Sequence, residues 1–170
     1  SMRLLSSYDL SAGDKIFIKV SIIEPAYSYQ AVTTNPKILD ALIFYLKDKG
    51  VTDILVAEQS LIGSETMAAA KKSGILDICN KHSINFLDLS KSEYIEQGPE
   101  AFKFKIAKEA LERKIINIPV MKTNSQIGIS GAIENMIRIT DADTQKRMFE
   151  NGIETSLPQL LKVLPKFLTV

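Results

Sequence analysis

The chain has little of the residue types from which metal and redox sites are usually built. Its 170 residues include one cysteine, Cys79, one histidine, His82, and no tryptophan. A single cysteine excludes an internal disulfide, and it also excludes a zinc or iron–sulfur site built from several thiolates of this chain. Because scarce cysteine and histidine fit a reducing compartment, we expect a cytoplasmic protein whose own residues hold no metal and no cofactor.

Neither a large excess of one charge nor a long apolar run is present. Lysine and arginine number 21 against 20 aspartate and glutamate residues, which gives a net charge of +1. Such a balance provides no general attraction for nucleic acid or for an anionic membrane. No apolar run approaches the roughly 18 residues that span a bilayer, and the start, SMRLLSSYDL, lacks the apolar region of a signal peptide. We therefore expect neither nucleic acid nor membrane as a partner.

The chain does have enough apolar sequence for one core. Hydrophobic residues make up 45% of it, and a chain of this length buries roughly 70% of its unfolded surface. Without an internal repeat or linker, residues 1–170 are predicted to form a single α/β domain. The chain ends on the apolar, strand-like run KFLTV with no closing turn. From this ending we expect a fragment of a longer protein, truncated at the C-terminus.

Short apolar strands alternate with helical segments along the sequence. The predicted strands cover residues 15–20, 53–57, 84–89, 115–120 and 167–170, with an edge strand at 102–106. The first predicted helix begins at Pro36 with Asn35 or Thr34 as N-cap. The second follows a capping Ser64 and resumes at 75–81, and further helices are predicted at 107–113, 131–139 and 157–163. This alternation predicts an α/β fold, a mainly parallel twisted sheet flanked by helices with Rossmann-like layering.

Ligands collect beyond the carboxyl ends of strands in open parallel sheets, and polar residues stand at three such places. Thr33 and Thr34 lead into the first predicted helix, where N–H groups attract anions, although simple N-capping explains them equally well. Glu58 and Ser60 follow the second strand. A carboxylate there could act as a base or metal ligand, or it could belong to a solvated loop or a structural ion pair.

The third place holds the densest group of polar residues. Lys122, Thr123 and Asn124 follow the apolar strand at 115–120, and Gly128 and Gly131 come soon after. A lysine at a strand end can bind a phosphate or a carboxylate, and glycines allow close approach of the backbone, although they also simply make turns. Neither a Walker A sequence nor a G-x-G-x-x-G motif is present.

Three strings of the sequence resemble a known family in order and spacing. GDKIFIKV, TTNPKILDALIFYLKDKGVTDILVAEQS and NIPVMKTNSQIGISGAIENM are together similar to the family of domain of unknown function 362, over residues 13–140. The strand-helix frame is generic, and the most specific part is the Lys-Thr pair followed by Gly-Ala-x-x-Asn. The positions that match the family's motifs are Lys19, Thr33, Thr34, Pro36, Glu58, Ser60, Lys122, Thr123, Gly131, Ala132 and Asn135.

The sequence also departs from the family's pattern. Asn35 and Asn124 stand where the family usually has histidine, Glu134 where it has lysine, and Ser21 or a neighbour where it has asparagine. Since asparagine does not titrate near neutral pH, the resemblance does not carry over proton transfer or metal ligation that relied on those histidines. Members often carry a ferredoxin-like [4Fe–4S] module, so the resemblance implies an iron–sulfur cluster in a missing or partner domain.

The leading hypothesis is an anionic small-molecule site at the carboxyl ends of the strands, within what could be an iron–sulfur redox protein. A competing hypothesis is a metal-dependent enzyme with Glu58 as base or ligand, and a third is a scaffold domain with a decayed site. In the leading hypothesis Glu58 has the catalytic role, and no residue is assigned to a metal. The predicted ligand-binding residues are Lys19, Thr33, Thr34, Ser60, Lys122, Thr123, Asn124 and Asn135.

Overall fold

A five-stranded parallel sheet is the centre of the computed structural model, which describes residues 8–125 and 127–170. The strands are β1 (Lys15–Lys19), β2 (Asp53–Glu58), β3 (Asn85–Asp88), β4 (Tyr94–Gln97), β5 (Phe104–Ala107), β6 (Lys114–Asn117), β7 (Lys122–Asn124), β8 (Gly128–Ser130) and β9 (Phe167–Thr169). The central sheet has the order β3-β2-β1-β6-β9, while β4-β5 and β7-β8 form separate antiparallel pairs. The predicted α/β fold with a mainly parallel sheet is confirmed, and the strands predicted at 15–20, 53–57 and 115–120 occupy its middle.

Helices lie between the strands in sequence. They are α1 (Pro36–Asp48), α2 (Thr66–Lys72), α3 (Ile75–Lys81), α4 (Lys108–Leu111), α5 (Ala142–Glu150) and α6 (Ile153–Val163), with 3₁₀ turns at Ser28–Gln30, Leu89–Lys91, Glu100–Phe102 and Glu134–Ile139. Within residues 8–125 and 127–170, no helix has the length and apolar character needed to cross a membrane.

Both faces of the sheet are covered, because the side chains of a strand alternate between its faces. Ile16 and Ile18 of β1 pack into one apolar cluster with α1, α2 and α3, whereas Phe17 packs into a second cluster with β5, α5, α6 and the 3₁₀ turn Glu134–Ile139. Lys19 follows Phe17 by two residues and therefore points toward this second side. The central strands read as continuous apolar runs because they are buried on both faces.

Helix α1 shows how local sequence sets these elements. Pro36 occupies its first position, and the Asn35 side chain accepts a hydrogen bond from Lys37 N at 3.0 Å, so Asn35 is the N-cap. Its buried residues recur at helical spacing. Gly50 follows the C-cap with φ +81°, a conformation that glycine adopts without strain.

Several predicted boundaries are wrong. The strand predicted at 115–120 ends at Asn117, because Pro119 has no N–H with which to continue the ladder. Helix α2 begins at Thr66 with Glu65, not Ser64, as its N-cap. The segment 102–106 contributes only to the small β4-β5 pair, and the segment 131–139 forms a 3₁₀ turn in place of an α-helix.

Candidate functional site

The strand order brings three carboxyl ends together at one edge of the sheet. From β1 the chain moves outward to β2 and β3, then returns to place β6 on the other side of β1. The strand order therefore reverses between β1 and β6, and in open α/β sheets ligands bind in the crevice outside such a switch point. Lys19 pairs in register with Ala57 on one side and with Asn117 on the other.

A buried ion pair lies at this point of the sheet. Lys19 Nζ is 2.5 Å from Glu58 Oε1, and the two side chains are 0% and 1% exposed. Glu58 also accepts backbone hydrogen bonds, from Gln59 N on Oε1 and from Ile22 N on Oε2, both at 2.8 Å. Lys19 also donates to Val20 O at 2.8 Å. Both carboxylate oxygens are therefore occupied by donors of the protein itself.

Burial and pairing act in opposite directions on the pKa values of these two groups. Burial raises the pKa of the Glu58 carboxyl, while the charge of Lys19 and the donated hydrogen bonds oppose that rise. Burial lowers the pKa of the Lys19 ammonium, and the charge of Glu58 opposes that fall. Each group thus depends on the other to stay charged in a site that excludes water.

Two asparagines extend this buried polar network. Asn135 Oδ1 lies 3.4 Å from Lys19 Nζ, and Asn135 Nδ2 donates to Asn117 Oδ1 at 2.7 Å and to Val20 O at 3.2 Å. Asn117 Nδ2 donates in turn to Ala132 O at 2.8 Å. Because these hydrogen bonds link Asn135 of the 3₁₀ turn Glu134–Ile139 to Lys19 of β1 and to Asn117 of β6, the network holds this turn against the ends of β1 and β6.

The predicted ligand-binding residues Thr34 and Ser60 join loops to one another. Thr34 Oγ1 donates to Ile118 O at 2.7 Å and accepts from Ser21 N at 2.8 Å, which ties the start of α1 to the exits of β1 and β6. Ser60 Oγ donates to Ile22 O at 3.0 Å and so joins the loops after β1 and β2. Thr33 is 3% exposed, and its Oγ1 has no hydrogen-bond partner within the described part of the chain. A ligand contact for these three residues stays a prediction from the sequence.

A cavity of about 400 Å³ opens directly above this network. Its walls come from the loops after β1 and β2, from the hairpin β7-β8, from the 3₁₀ turn Glu134–Ile139 and from α5. The predicted site residues that line it are Glu58, Lys122, Thr123, Asn124 and Asn135. Lys19 lies beneath its floor, bonded to Glu58 and Asn135. The structure thus gathers six of the nine predicted residues in and under one cavity.

Two cations face this cavity without a carboxylate at ion-pair distance in the described part of the chain. Lys122 Nζ has Ser21 Oγ as its hydrogen-bond partner, at 3.4 Å. Arg138 Nη1 donates to Gln145 Oε1 at 2.8 Å, and Gln145 Nε2 donates to Gln59 Oε1 at 3.0 Å. Glu134 also lines the cavity, whereas Glu58 is compensated by Lys19. The uncompensated charges on the wall are therefore two cations and one carboxylate.

The hairpin β7-β8 presents Lys122 and its neighbours to the cavity. In the hairpin register Lys122 pairs with Ser130 and Asn124 with Gly128, and Asn124 Nδ2 donates to Ser130 Oγ at 2.9 Å. Gly128 has φ +76° at the return of the hairpin, where a residue with a Cβ would be strained. The hairpin gives Lys122 a fixed position although β6 has ended five residues earlier.

Sequence reasoning missed Arg138, although a signal for it exists. Glu134 and Arg138 are four residues apart and Asn135 and Arg138 three apart, spacings that place side chains on one face of a helical turn. Asn135 belongs to the predicted site, so the face that it shares with Arg138 and Glu134 is also a candidate. Gln59 and Gln145, which hold the guanidinium in place, carry no such signal.

The described residues do not fit a metal or an iron–sulfur cluster. No group of three or more His, Cys, Asp or Glu side chains comes together among residues 8–125 and 127–170. Cys79 is 0% exposed within the apolar cluster of α1, α2 and α3, and burial raises the pKa of its thiol to about 12. Because the thiolate is the form that binds metal, this cysteine is a poor ligand.

The Cys79 thiol should accordingly be almost inert in the folded protein. At pH 8 a pKa of about 12 leaves roughly a thousandth of the thiolate of an ordinary cysteine, so reaction with a disulfide reagent should slow at least about a thousandfold. The measurement is release of thionitrobenzoate with and without denaturing urea. Equal rates in the two solutions would show that Cys79 is accessible in the native state.

Comparison with known proteins identifies the family to which the chain belongs. The family model described as "Domain of unknown function (DUF362)" matches residues 16–170, which includes the whole central sheet except Lys15, the first residue of β1, and every wall of the cavity. A search of curated proteins gave no significant match, and neither did a search of solved structures.

Proposed function

Since the chain belongs to the family of domain of unknown function 362, its role has to be argued from its own site, and we propose that it binds an anionic small molecule in the cavity above β1, β2 and β6. The observation that supports this most is the pair of cavity cations, Lys122 and Arg138, which have no carboxylate at ion-pair distance among residues 8–125 and 127–170. Phosphate and carboxylate groups are the ligands that such cations bind best.

The charge of the buried network supports an anion in preference to a cation. Lys19 neutralises Glu58 beneath the cavity, so the floor carries no net charge. Lys122 and Arg138 then exceed Glu134 by one positive charge. Since the cavity lies at the topological switch point, its position is also the usual one for a ligand in this type of sheet.

The competing hypotheses have less support from the geometry. For Glu58 to act as a base or metal ligand, an incoming group would have to displace Lys19 or a backbone N–H from the carboxylate. A scaffold with a decayed site gives no reason for two cations held beside an open cavity. The iron–sulfur module that the resemblance implies stays a proposal for another domain or chain.

Replacing Lys122 with methionine tests the anion site. Because a charge-assisted hydrogen bond is lost, the binding free energy for inorganic phosphate should weaken by about 1–3 kcal/mol. Thermal stability should change little, since Lys122 has no ion-pair partner in the described structure. The measurement is calorimetric titration with phosphate and acetate, and the matched control is Lys162→Met, which removes an exposed lysine of α6. Absence of binding by the wild type, or equal binding by the Lys122→Met variant, would contradict the proposal.

Anion binding should also depend on pH through Lys122. Burial lowers the pKa of Lys122 from its usual 10.5 and the charge of Arg138 acts in the same direction, while Glu134 and Glu58 oppose the fall. A deprotonated lysine no longer attracts an anion, so affinity should decrease as the pH rises through this lowered pKa. Sulfate is the suitable probe because its charge is constant between pH 7 and about 10. The Lys122→Met variant should show a much flatter pH profile, and an identical profile would assign the effect to another group.

A further inference from the structure

The cavity has an apolar wall in addition to its charged one. Ile22, Ile23, Leu61 and Phe149 line the same space as Lys122 and Arg138. Ile23 and Leu61 lie side by side, because Leu61 N donates to Ile23 O at 2.9 Å. A site for a bare inorganic ion would need only the cations, so the apolar side chains require a separate explanation.

This apolar wall is held in place before any ligand arrives. Three hydrogen bonds join the loops after β1 and β2: Ile22 N to Glu58 Oε2, Ser60 Oγ to Ile22 O, and Leu61 N to Ile23 O. Leu61 is nevertheless 41% exposed. An apolar group that covered it would remove this surface from water without a prior rearrangement of the loops, and both effects favour binding.

The size of the cavity points in the same direction. A volume of about 400 Å³ holds roughly a dozen water molecules at about 30 Å³ each. It falls within the range of roughly 300–1,000 Å³ that is usual for small-molecule pockets. An inorganic anion with five heavy atoms would fill a minor part of it and would leave the apolar wall in contact with water.

We propose that the natural ligand is an anion that carries an apolar group of several carbons, such as an alkyl or aryl phosphomonoester or carboxylate. Its charged group contacts Lys122 and Arg138, and its apolar group covers Ile23, Leu61 and Phe149. This inference rests on the proposed anion site and adds the chemical class of the ligand to it.

The test compares inorganic phosphate with butyl phosphate and phenyl phosphate in calorimetric titrations of the full chain. Each buried methylene contributes about a three- to fourfold gain in affinity, so the esters should bind at least about tenfold more tightly than phosphate. Equal affinities for phosphate and its esters would overturn the inference while the anion site stands. If neither phosphate nor the esters bind, the proposed function itself fails.

A variant of the apolar wall gives the second arm of the test. Leu61→Ser should reduce the preference for butyl phosphate over phosphate at least about threefold. Ile62→Ser is the matched control, because Ile62 is 67% exposed in the same turn and does not line this cavity. A preference that is unchanged in Leu61→Ser, or lost equally in Ile62→Ser, would overturn the placement of the apolar group.

Discussion

Replacing Lys19 with methionine should lower the free energy of unfolding by about 3–5 kcal/mol, the usual consequence of removing one partner of a buried ion pair. Lys19 Nζ and Glu58 Oε1 are 2.5 Å apart, and both side chains are shielded from water. Without Lys19, Glu58 either stays charged in a dry site or binds a proton, and both alternatives lower stability. Chemical denaturation at pH 7 measures the effect.

The same variant should regain stability in acid. Removal of Lys19 takes away the largest influence that keeps the pKa of the buried Glu58 carboxyl down. The folded-state pKa of Glu58 then lies further above its unfolded value, so the folded variant binds a proton more tightly than the unfolded chain does. The stability of Lys19→Met should therefore rise, relative to the wild type, as the pH falls from 8 toward 5.

Two further variants serve as controls for this effect. Lys146→Met removes a lysine from an exposed pair with Glu150 and should change stability by less than about 0.5 kcal/mol. The double variant Lys19→Met with Glu58→Gln should be more stable than Lys19→Met alone, because no unpaired charge remains buried. If Lys19→Met is no less stable than Lys146→Met, the buried pair does not hold the ends of β1 and β2 together.

Removing both cavity cations, by Lys122→Met together with Arg138→Gln, should weaken phosphate binding by about 2–5 kcal/mol. Each cation contributes a charge-assisted hydrogen bond, and the two effects need not add, since both groups contact one ligand. Gln145 holds the planar guanidinium of Arg138 in place by a hydrogen bond of 2.8 Å. For this reason Arg138→Lys should also lose affinity, although it keeps the charge.

The appropriate control for the double variant removes the same net charge elsewhere. Lys37 and Lys162 are exposed residues of α1 and α6, so Lys37→Met with Lys162→Met has the charge of the test variant and leaves the cavity intact. Phosphate affinity should then stay within about twofold of the wild type at physiological salt. A comparable loss in both double variants would indicate general electrostatic attraction rather than a defined site.

Much of the site could be predicted because parallel strands end at a common edge. Lys19, Glu58 and Lys122 each stand at or just after an apolar run, and this alone assigns them to that edge. Their pairing could not be predicted, since it depends on which strands are neighbours. Lys19 and Glu58 meet because β1 and β2 are adjacent, which makes Lys19 a partner of Glu58 rather than an exposed contact for a ligand.

The elements that the sequence did not predict have weak local signals. Helix α5 is a polar segment with few apolar positions, and its clearest mark is the N-cap Asp141, whose side chain accepts from Thr144 N at 2.9 Å. Strands β7 and β8 have three residues each, too few for an alternating pattern. Both elements form walls of the cavity, so the shape of the site depends on tertiary packing more than on strand and helix propensity.

An anomalous-scattering anion in a crystal tests the central claim most directly. Arsenate has the charge and shape of phosphate, and arsenic can be located by its anomalous signal. We expect arsenate to lie in the cavity above β1 and β6, within hydrogen-bond distance of both Lys122 Nζ and the Arg138 guanidinium. Crystals that are saturated with arsenate and show no signal at these two side chains would contradict the account.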